Sequence, residues 1–132
     1  MDINLDKLNY KFISKPLLIG WKAKEFYGIR KSWDDIDFVI SRKDHSNLLK
    51  IYPNNVKDLY WDIWICEYEF EIWNCICLFD YNFLKVNALE LDKMLVISLE
   101  KLLFLTALAM KEEKYMNDLK LIVDKVVQNQ YK

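Results

Sequence analysis

The chain is 132 residues long, enough for one domain with a buried core, and its 53% hydrophobic and 30% charged residues exclude an intrinsically disordered protein. The net charge of -1 carries no general nucleic-acid signature. No apolar run is long enough to span a bilayer and the N-terminus lacks a signal-peptide core, so we expect a cytoplasmic protein without a membrane partner.

The first half of the chain predicts a strand, a glycine, a helix and a second strand. Pro16 and the apolar residues after it predict a short buried strand that leads to Gly20. Gly28 suits the C-terminus of the helix that follows. The elements expected here are a short amphipathic helix at residues 2–13, a strand at 16–19, a helix at 22–27, a turn at 30–34 and a strand at 35–40.

The second half predicts further strands and a pair of helices. Residues 69–79 give the strongest strand signal, and because both alternating faces are largely apolar, we expect this strand to be covered on both sides. Ser98 suits the N-cap of the first C-terminal helix. The elements expected here are a helix at residues 45–52 ended by Pro53, strands at 59–65 and 69–79, an edge strand at 92–97, and helices at 98–109 and 114–128.

Together these elements predict an α/β (α+β) fold in a single domain over residues 1–132. A small mixed β-sheet, at about residues 15–97, would be flanked by helices. A C-terminal helical pair would follow at about residues 98–130. No repeat, linker or low-complexity stretch interrupts the chain, so we expect no domain boundary.

The three cysteines and the single histidine argue against a structural zinc site. Cys66, Cys75 and Cys77 are odd in number and lack zinc-like spacing, and His45 has no partner histidine. Cys75 and Cys77 fall in an apolar run, where small core residues are the simplest interpretation. We therefore expect reduced thiols.

Asp35 and Asp37 are the first candidates for chemistry. Residues two apart in a strand point the same way, so these two carboxylates project together while Ile36 faces the core. Their mutual repulsion favours a bound cation, for which Mg²⁺ (or Mn²⁺) is the suitable hard ion. A third carboxylate from a neighbouring strand would complete a two-metal site; Glu71 is the first candidate and Glu69 the second.

Two interpretations of the Asp-x-Asp pattern stay open. Paired aspartates at the start of a strand are often only a solvated turn. The strand, Gly20 and helix upstream favour a phosphate-handling site, because the free N–H groups at a helix N-terminus can hold phosphate.

The order of these residues resembles the DNA polymerase β-type nucleotidyltransferase superfamily in its small bacterial form, which includes minimal nucleotidyltransferases and AbiEii-type abortive-infection proteins. That superfamily has an apolar strand, Gly-Gly or Gly-Ser, a helix, a short Arg/Lys-Ser/Thr turn and then Asp-x-Asp. The stretches that carry the resemblance are Leu17-Leu18-Ile19-Gly20-Trp21, Arg30-Lys31-Ser32, Asp35-Ile36-Asp37, Phe70-Glu71-Ile72-Trp73 and Lys114-Tyr115-Met116-Asn117-Asp118-Leu119.

The resemblance implies transfer of a nucleoside monophosphate from an NTP substrate, with pyrophosphate leaving. Asp35 and Asp37 would hold both Mg²⁺ ions, and Glu71 would bind the catalytic metal and help to deprotonate the acceptor. The resemblance also implies phosphate contacts, which would come from Gly20, Trp21, Arg30, Lys31, Ser32, Lys101 and Lys111.

The tryptophans complicate this assignment. The chain has 5 Trp and only 2 Gly, although glycine normally makes up about 7% of residues. Trp21 occupies the second Gly or Ser position of the superfamily pattern, and Trp33 occupies a turn position. They could be ordinary packed aromatics, marks of a degenerate and non-catalytic domain, or UGA codons translated as tryptophan where the source cell reads glycine.

Two functions therefore remain open. The first is an active nucleotidyltransferase whose acceptor is RNA, a protein or a small molecule. The second is a catalytically degenerate, nucleotidyltransferase-like binding module that works with a cognate toxin or antitoxin, or in a defence pair. Fold analogy does not choose between them.

Overall fold

The apolar runs before Gly20 and after Asp35 form two antiparallel strands at the centre of a mixed sheet. The computed structural model describes residues 2–31, 34–109 and 113–131. Within these ranges the protein has five α-helices, one 3-10 turn, a seven-stranded sheet and a two-stranded hairpin. The predicted mixed fold with a C-terminal helical pair is confirmed.

The order of the strands brings the candidate residues together. The strands are β1 (Leu17–Ile19), β2 (Ile36–Val39), β3 (Val56–Leu59), β4 (Asp62–Glu67), β5 (Phe70–Trp73), β6 (Cys75–Ile76), β7 (Phe79–Asp80), β8 (Leu89–Glu90) and β9 (Leu95–Val96). The helices are α1 (Gly20–Phe26), α2 (Arg42–Ile51), α3 (Tyr81–Leu84), α4 (Leu99–Leu108) and α5 (Lys114–Gln130). In the large sheet the order is β3-β4-β5-β2-β1-β9-β8, and β2–β5 and β1–β9 are the parallel pairs.

One face of the central strands forms the core. Ile36 and Phe38 of β2 and Phe70 and Ile72 of β5 are all at most 5% exposed, and Leu48 of α2 is fully buried. Burying such a side chain contributes about 1.5–3 kcal/mol. The residues between them point to the opposite face of the sheet, which carries the candidate site.

Residues 59–65 form a hairpin turn and part of a strand, so the prediction of one strand there is wrong. Tyr60 and Trp61 have left-handed backbone angles, with φ of 50° and 80°, and they join β3 to β4. The Asp58 carboxylate accepts the Trp61 N–H at 2.9 Å. Both turn residues are large and apolar, so the composition gave no turn signal.

Residues 69–79 are also broken into shorter pieces. β5 ends at Trp73, and the Asn74 side chain then accepts the N–H of Ile63 at 2.8 Å. The chain turns again at Cys77 and Leu78, whose N–H groups donate to the Asp62 carboxylate at 2.7 and 2.9 Å. The single long strand predicted here is therefore wrong, because distant polar side chains hold the breaks in place.

The N-terminal segment forms less helix than predicted. Within residues 2–13, one 3-10 turn covers Leu5–Leu8. The following residues are held by Asp44 of α2, which accepts hydrogen bonds from the Tyr10 hydroxyl and the Ile13 and Ser14 N–H groups. These bonds fix an irregular path over the start of α2.

The strand predicted at residues 92–97 is interior and short. On one side of β9, Leu95 donates its N–H to the Pro16 carbonyl at 2.9 Å and Ile97 donates to Leu18 at 3.1 Å. On its other side β9 pairs with β8, which is the edge of the sheet. The sequence gave no strand signal for β8, so β9 was wrongly placed at the edge.

The helix ends agree with their predicted capping residues. Ser98 accepts the Lys101 N–H at 3.1 Å and begins α4. Gly28 follows α1 with φ of 73°, and α1 begins at Gly20, two residues before the predicted start. Among the described residues, we find no helix with the length and apolar character needed to cross a membrane.

Candidate functional site

Two carboxyl groups lie side by side on adjacent strands. In the parallel pair β2–β5, Asp37 lies opposite Glu71, and the two side chains share a hydrogen bond. Burial, followed by the hydrogen bond and charge of Glu71, raises the pKa of Asp37 to about 8. The raised pKa favours the protonated form of Asp37, and a proton on this group moderates its repulsion with Glu71.

Gly20 brings the backbone against Asp37. Its φ of 66° is in the left-handed region that glycine tolerates best. A Cβ atom at this position would lie only 2.7 Å from Oδ2 of Asp37. Because Ile19 pairs with Asp37 across β1–β2, the glycine directly after it places the start of α1 beside this carboxyl group. Gly20 and Asp37 therefore belong to one site.

Trp73 is a site residue that the sequence did not single out. Its Nε1 donates to Oδ1 of Asp37 at 3.2 Å. Its ring stacks on Trp64 of β4, with centroids 4.3 Å apart and planes at 21°. Trp73 follows Glu71 by two residues, so the period of a strand already placed it on the face of the carboxylates.

Asp35 contributes negative charge to the surroundings of the pair. It is exposed, and its negative charge adds to the causes that raise the pKa of Asp37. In the described ranges, no group of three or more Asp, Glu, His or Cys side chains is gathered closely enough to hold a metal ion. The three-carboxylate metal site stays a prediction.

The donor chemistry of the pair fits a hard divalent cation. Carboxylate oxygens are the ligands that Mg²⁺ and Mn²⁺ prefer. Neither Asp37 nor Glu71 forms an ion pair with a described Lys or Arg side chain. A cation bound there would replace the shared proton, and that exchange is measurable.

A buried ion cluster joins α1 to α5 next to the pair. Lys24 is 4% exposed and Asp118 is 2% exposed, and Nζ of Lys24 donates to Oδ2 of Asp118 at 2.9 Å. Arg30 also donates to Asp118, through Nη1 at 3.1 and 3.2 Å. Burial lowers the pKa of Lys24 against the opposing effect of Asp118. The resemblance implied a phosphate contact for Arg30; here it bonds to Asp118.

Trp21 lies beside the candidate phosphate region. The Arg30 guanidinium stacks 3.8 Å from the centroid of its ring, and the Tyr115 ring lies 6.1 Å away. Trp21, Gly20 and Asp37 line a cavity of about 150 Å³. Pockets that hold drug-sized ligands usually measure about 300–1,000 Å³, so a nucleoside triphosphate needs more room than this cavity offers.

The remaining predicted residues lie elsewhere. Glu69 forms an ion pair with Lys7 at 2.8 Å, so Glu71 is the carboxylate that lies opposite Asp37. Nζ of Lys101 lies 3.9 Å from the centroid of the Phe83 ring, and this lysine does not line the cavity beside Asp37. Lys31 is exposed. The predictions for Ser32, Trp33 and Lys111 fall outside the described residues.

Comparisons with protein-family models, with curated proteins and with solved structures gave no match. The geometry of the Asp37–Glu71 pair therefore carries the functional argument. Two adjacent carboxyl groups that share a proton can bind a cation once that proton is lost, or one of them can accept a proton from a reacting group.

Proposed function

We propose that this chain is a magnesium-dependent nucleotidyltransferase, which moves a nucleoside monophosphate from an NTP to an acceptor hydroxyl or other nucleophile. The observation that supports this proposal is the Asp37–Glu71 pair, with the Gly20 backbone packed against it. A strand, a glycine and a helix beside two carboxylates are the parts that a phosphate-transfer site requires. The acceptor is RNA, a protein or a small molecule.

Each residue of the pair has a separate task in this proposal. Asp37 and Glu71, with Asp35, would hold Mg²⁺ (or Mn²⁺). The cation would neutralise charge on the phosphoryl oxygens and on the leaving pyrophosphate. Glu71 would accept the proton of the attacking group. Trp73 holds the orientation of Asp37 through its hydrogen bond.

Gly20 and the basic turn would bind the phosphates. The Gly20 backbone lies beside Asp37, so N–H groups that follow it would face the triphosphate. Arg30 would contribute a phosphate contact only by leaving Asp118 and Trp21. Lys31, which is exposed, would add a further phosphate contact.

Label transfer from NTPs tests this proposal. The purified chain, Mg²⁺ and each α-³²P-labelled NTP are incubated with cell RNA, cell protein and small-molecule extracts. We expect transfer by the wild type and a loss of about a hundredfold or more in Asp37→Asn, because charge stabilisation of several kcal/mol disappears. Asp34→Asn is the matched control, since Asp34 is exposed and outside the pair. Equal transfer by both variants would contradict the assignment.

The alternative is a catalytically degenerate binding module that acts with a toxin, an antitoxin or another defence protein. The position of Trp21 favours it, because this side chain lines the cavity beside Gly20 and Asp37 where the triphosphate would lie. The Arg30 guanidinium stacks on the Trp21 ring. Trp21→Gly separates the two functions. If the chain is an enzyme obstructed by Trp21, this variant transfers label faster than the wild type; if it is a binding module, neither protein transfers label.

A further inference from the structure

A second cavity of the described residues is lined by neither Asp37 nor Glu71. Its volume is about 860 Å³, within the range of small-molecule sites. It lies beyond the C-terminal ends of β2 and β5, where Ser41 and Asn74 follow the strands. Asp37 and Glu71 occupy the second positions of the same strands, before Ser41 and Asn74, which line this cavity.

The walls of this cavity combine apolar and aromatic surfaces. Trp61, from the β3–β4 turn, is 73% exposed, and Leu78, from the β6–β7 turn, is 65% exposed. Leu49 and Ile63 also line the cavity. Exposed large apolar groups around a concavity favour a ligand with a flat apolar body.

Arg42 supplies positive charge at the cavity. It lines the space at the first position of α2, and it forms no hydrogen bond or ion pair with a described residue. The other basic group in the lining is His45, which is buried; burial lowers its pKa, and its Nε2 lies 3.1 Å from the Ile63 carbonyl. Arg42 is therefore the available cation.

The lining also limits the charge of a ligand. Asp80 faces the cavity, but its Oδ1 accepts the Phe83 N–H at 3.0 Å and so begins α3. One arginine and one carboxylate suit a ligand with a single anionic group and a hydrogen-bond donor. A polyphosphate would meet unfavourable charge at Asp80.

We propose that this cavity binds a small aromatic anion, with its acidic group on Arg42 and its ring between Trp61 and Leu78. This site is separate from the proposed transfer site, and its occupancy needs neither Mg²⁺ nor NTP. A failure of one proposal therefore leaves the other standing.

The test uses 8-anilinonaphthalene-1-sulfonate, which has an aromatic body, one sulfonate and one N–H donor. Fluorescence titration of the wild type is expected to saturate at one molecule per chain. Arg42→Gln is expected to weaken binding about tenfold or more, the size of a lost charge-assisted hydrogen bond. Lys43→Gln is the matched control, because Lys43 is exposed on the same helical turn and does not line the cavity.

A second variant tests the apolar wall. Leu78→Asp places negative charge in the cavity at a residue with φ of 66°, a conformation that Asp tolerates better than Leu. It is expected to weaken binding of the dye, whereas Leu89→Asp, on exposed β8, is not. Circular dichroism checks that every variant is folded. Non-saturating binding, or equal affinities for Arg42→Gln and Lys43→Gln, would overturn the proposal.

Discussion

Glu71 lies directly opposite Asp37 in the parallel β2–β5 pair, and the two carboxyl groups share a hydrogen bond. Two acids in this arrangement cannot both ionise without a compensating charge. The pair therefore links the protonation of the site to the stability of the sheet and to any cation that binds there.

Stability is expected to fall as the pH rises through the titration of Asp37. The pKa of this group is raised to about 8 in the folded protein, from about 3.9 in an unfolded chain. Between these pH values the folded state binds more protons at Asp37 than the unfolded state does. The contribution of Asp37 to the free energy of unfolding is therefore complete below about pH 4 and is lost as the pH rises through about 8. Asp37→Asn, measured by urea unfolding at several pH values, should flatten this slope. An unchanged slope, equal to that of the control Asp34→Asn, would contradict the linkage.

Mg²⁺ is expected to raise the melting temperature most at alkaline pH. At about pH 8 or higher the pair loses its proton, and a cation that binds the folded state stabilises it by mass action. Thermal melts with increasing MgCl₂ should show this shift in the wild type and in Asp34→Asn, and should lose it in Asp37→Asn. The same shift in all three proteins would mean that Mg²⁺ binds elsewhere.

Asp37 and Glu71 could be predicted as candidates because the alternation of side chains along a strand can be read from neighbouring residues. Alternation predicted that Asp35 and Asp37 share one face of a strand, and Glu71 was the first candidate for a carboxylate from a neighbouring strand. In the structure Asp37 lies opposite Glu71, and Gly20 packs against Asp37. The contact between Lys24 and Asp118 spans 94 residues and follows no short period, so it was not predicted. The break at residues 77–78 was missed for a similar reason, since the Asp62 carboxylate holds it from 15 and 16 residues away. The turn at residues 60–61 was missed because both of its residues are large.

Asp118→Ala is expected to destabilise the fold by about 3–5 kcal/mol, because it leaves buried Lys24 without its partner. The same substitution removes the carboxylate that forms an ion pair with Arg30. Asp124→Ala, on an exposed position of α5, is the control and should have little effect. Urea unfolding measures both variants. A similar small change in both would show that α5 docks without this ion cluster.

Trp61→Gly is expected to stabilise the protein by about 1 kcal/mol. Trp61 is 73% exposed and has φ of 80°, so its replacement relieves left-handed strain and sacrifices little burial. Glycine also suits the second position of a two-residue hairpin turn. Trp64→Gly, in β4, is the contrast: it removes the ring stacked on Trp73 and should destabilise. Thermal melts that rank the variants in the opposite order would contradict this account.

The same turn bears on the decoding hypothesis. Trp61 occupies a backbone conformation that favours glycine, and Trp21 directly follows Gly20 in the glycine-rich position of the superfamily pattern. The hypothesis predicts UGA at codons 21 and 33 of the gene, and the backbone angle of Trp61 extends it to codon 61. Ordinary UGG codons there, or tryptophan at these positions in peptides from the source cell, would exclude the hypothesis.

Asp44 is expected to show a pH dependence opposite to that of Asp37. Burial raises its pKa, but hydrogen bonds from Tyr10, Ile13, Ser14 and Ser41 outweigh burial and hold the pKa below its usual value. The contribution of Asp44 to the free energy of unfolding is present above about pH 3.9, the pKa of the group in the unfolded chain. It is lost as the pH falls through the lower pKa of the folded protein.

Asp44→Ala tests this contribution. The variant leaves four donors without their acceptor, at original distances of 2.6–3.0 Å, and should lose about 3 kcal/mol of stability at neutral pH. The difference from the wild type should shrink as the pH falls below about 4. Asp92→Ala, an exposed substitution, is the control. A loss of the same size at every pH would show that packing, and not the carboxylate, holds the N-terminal segment on α2.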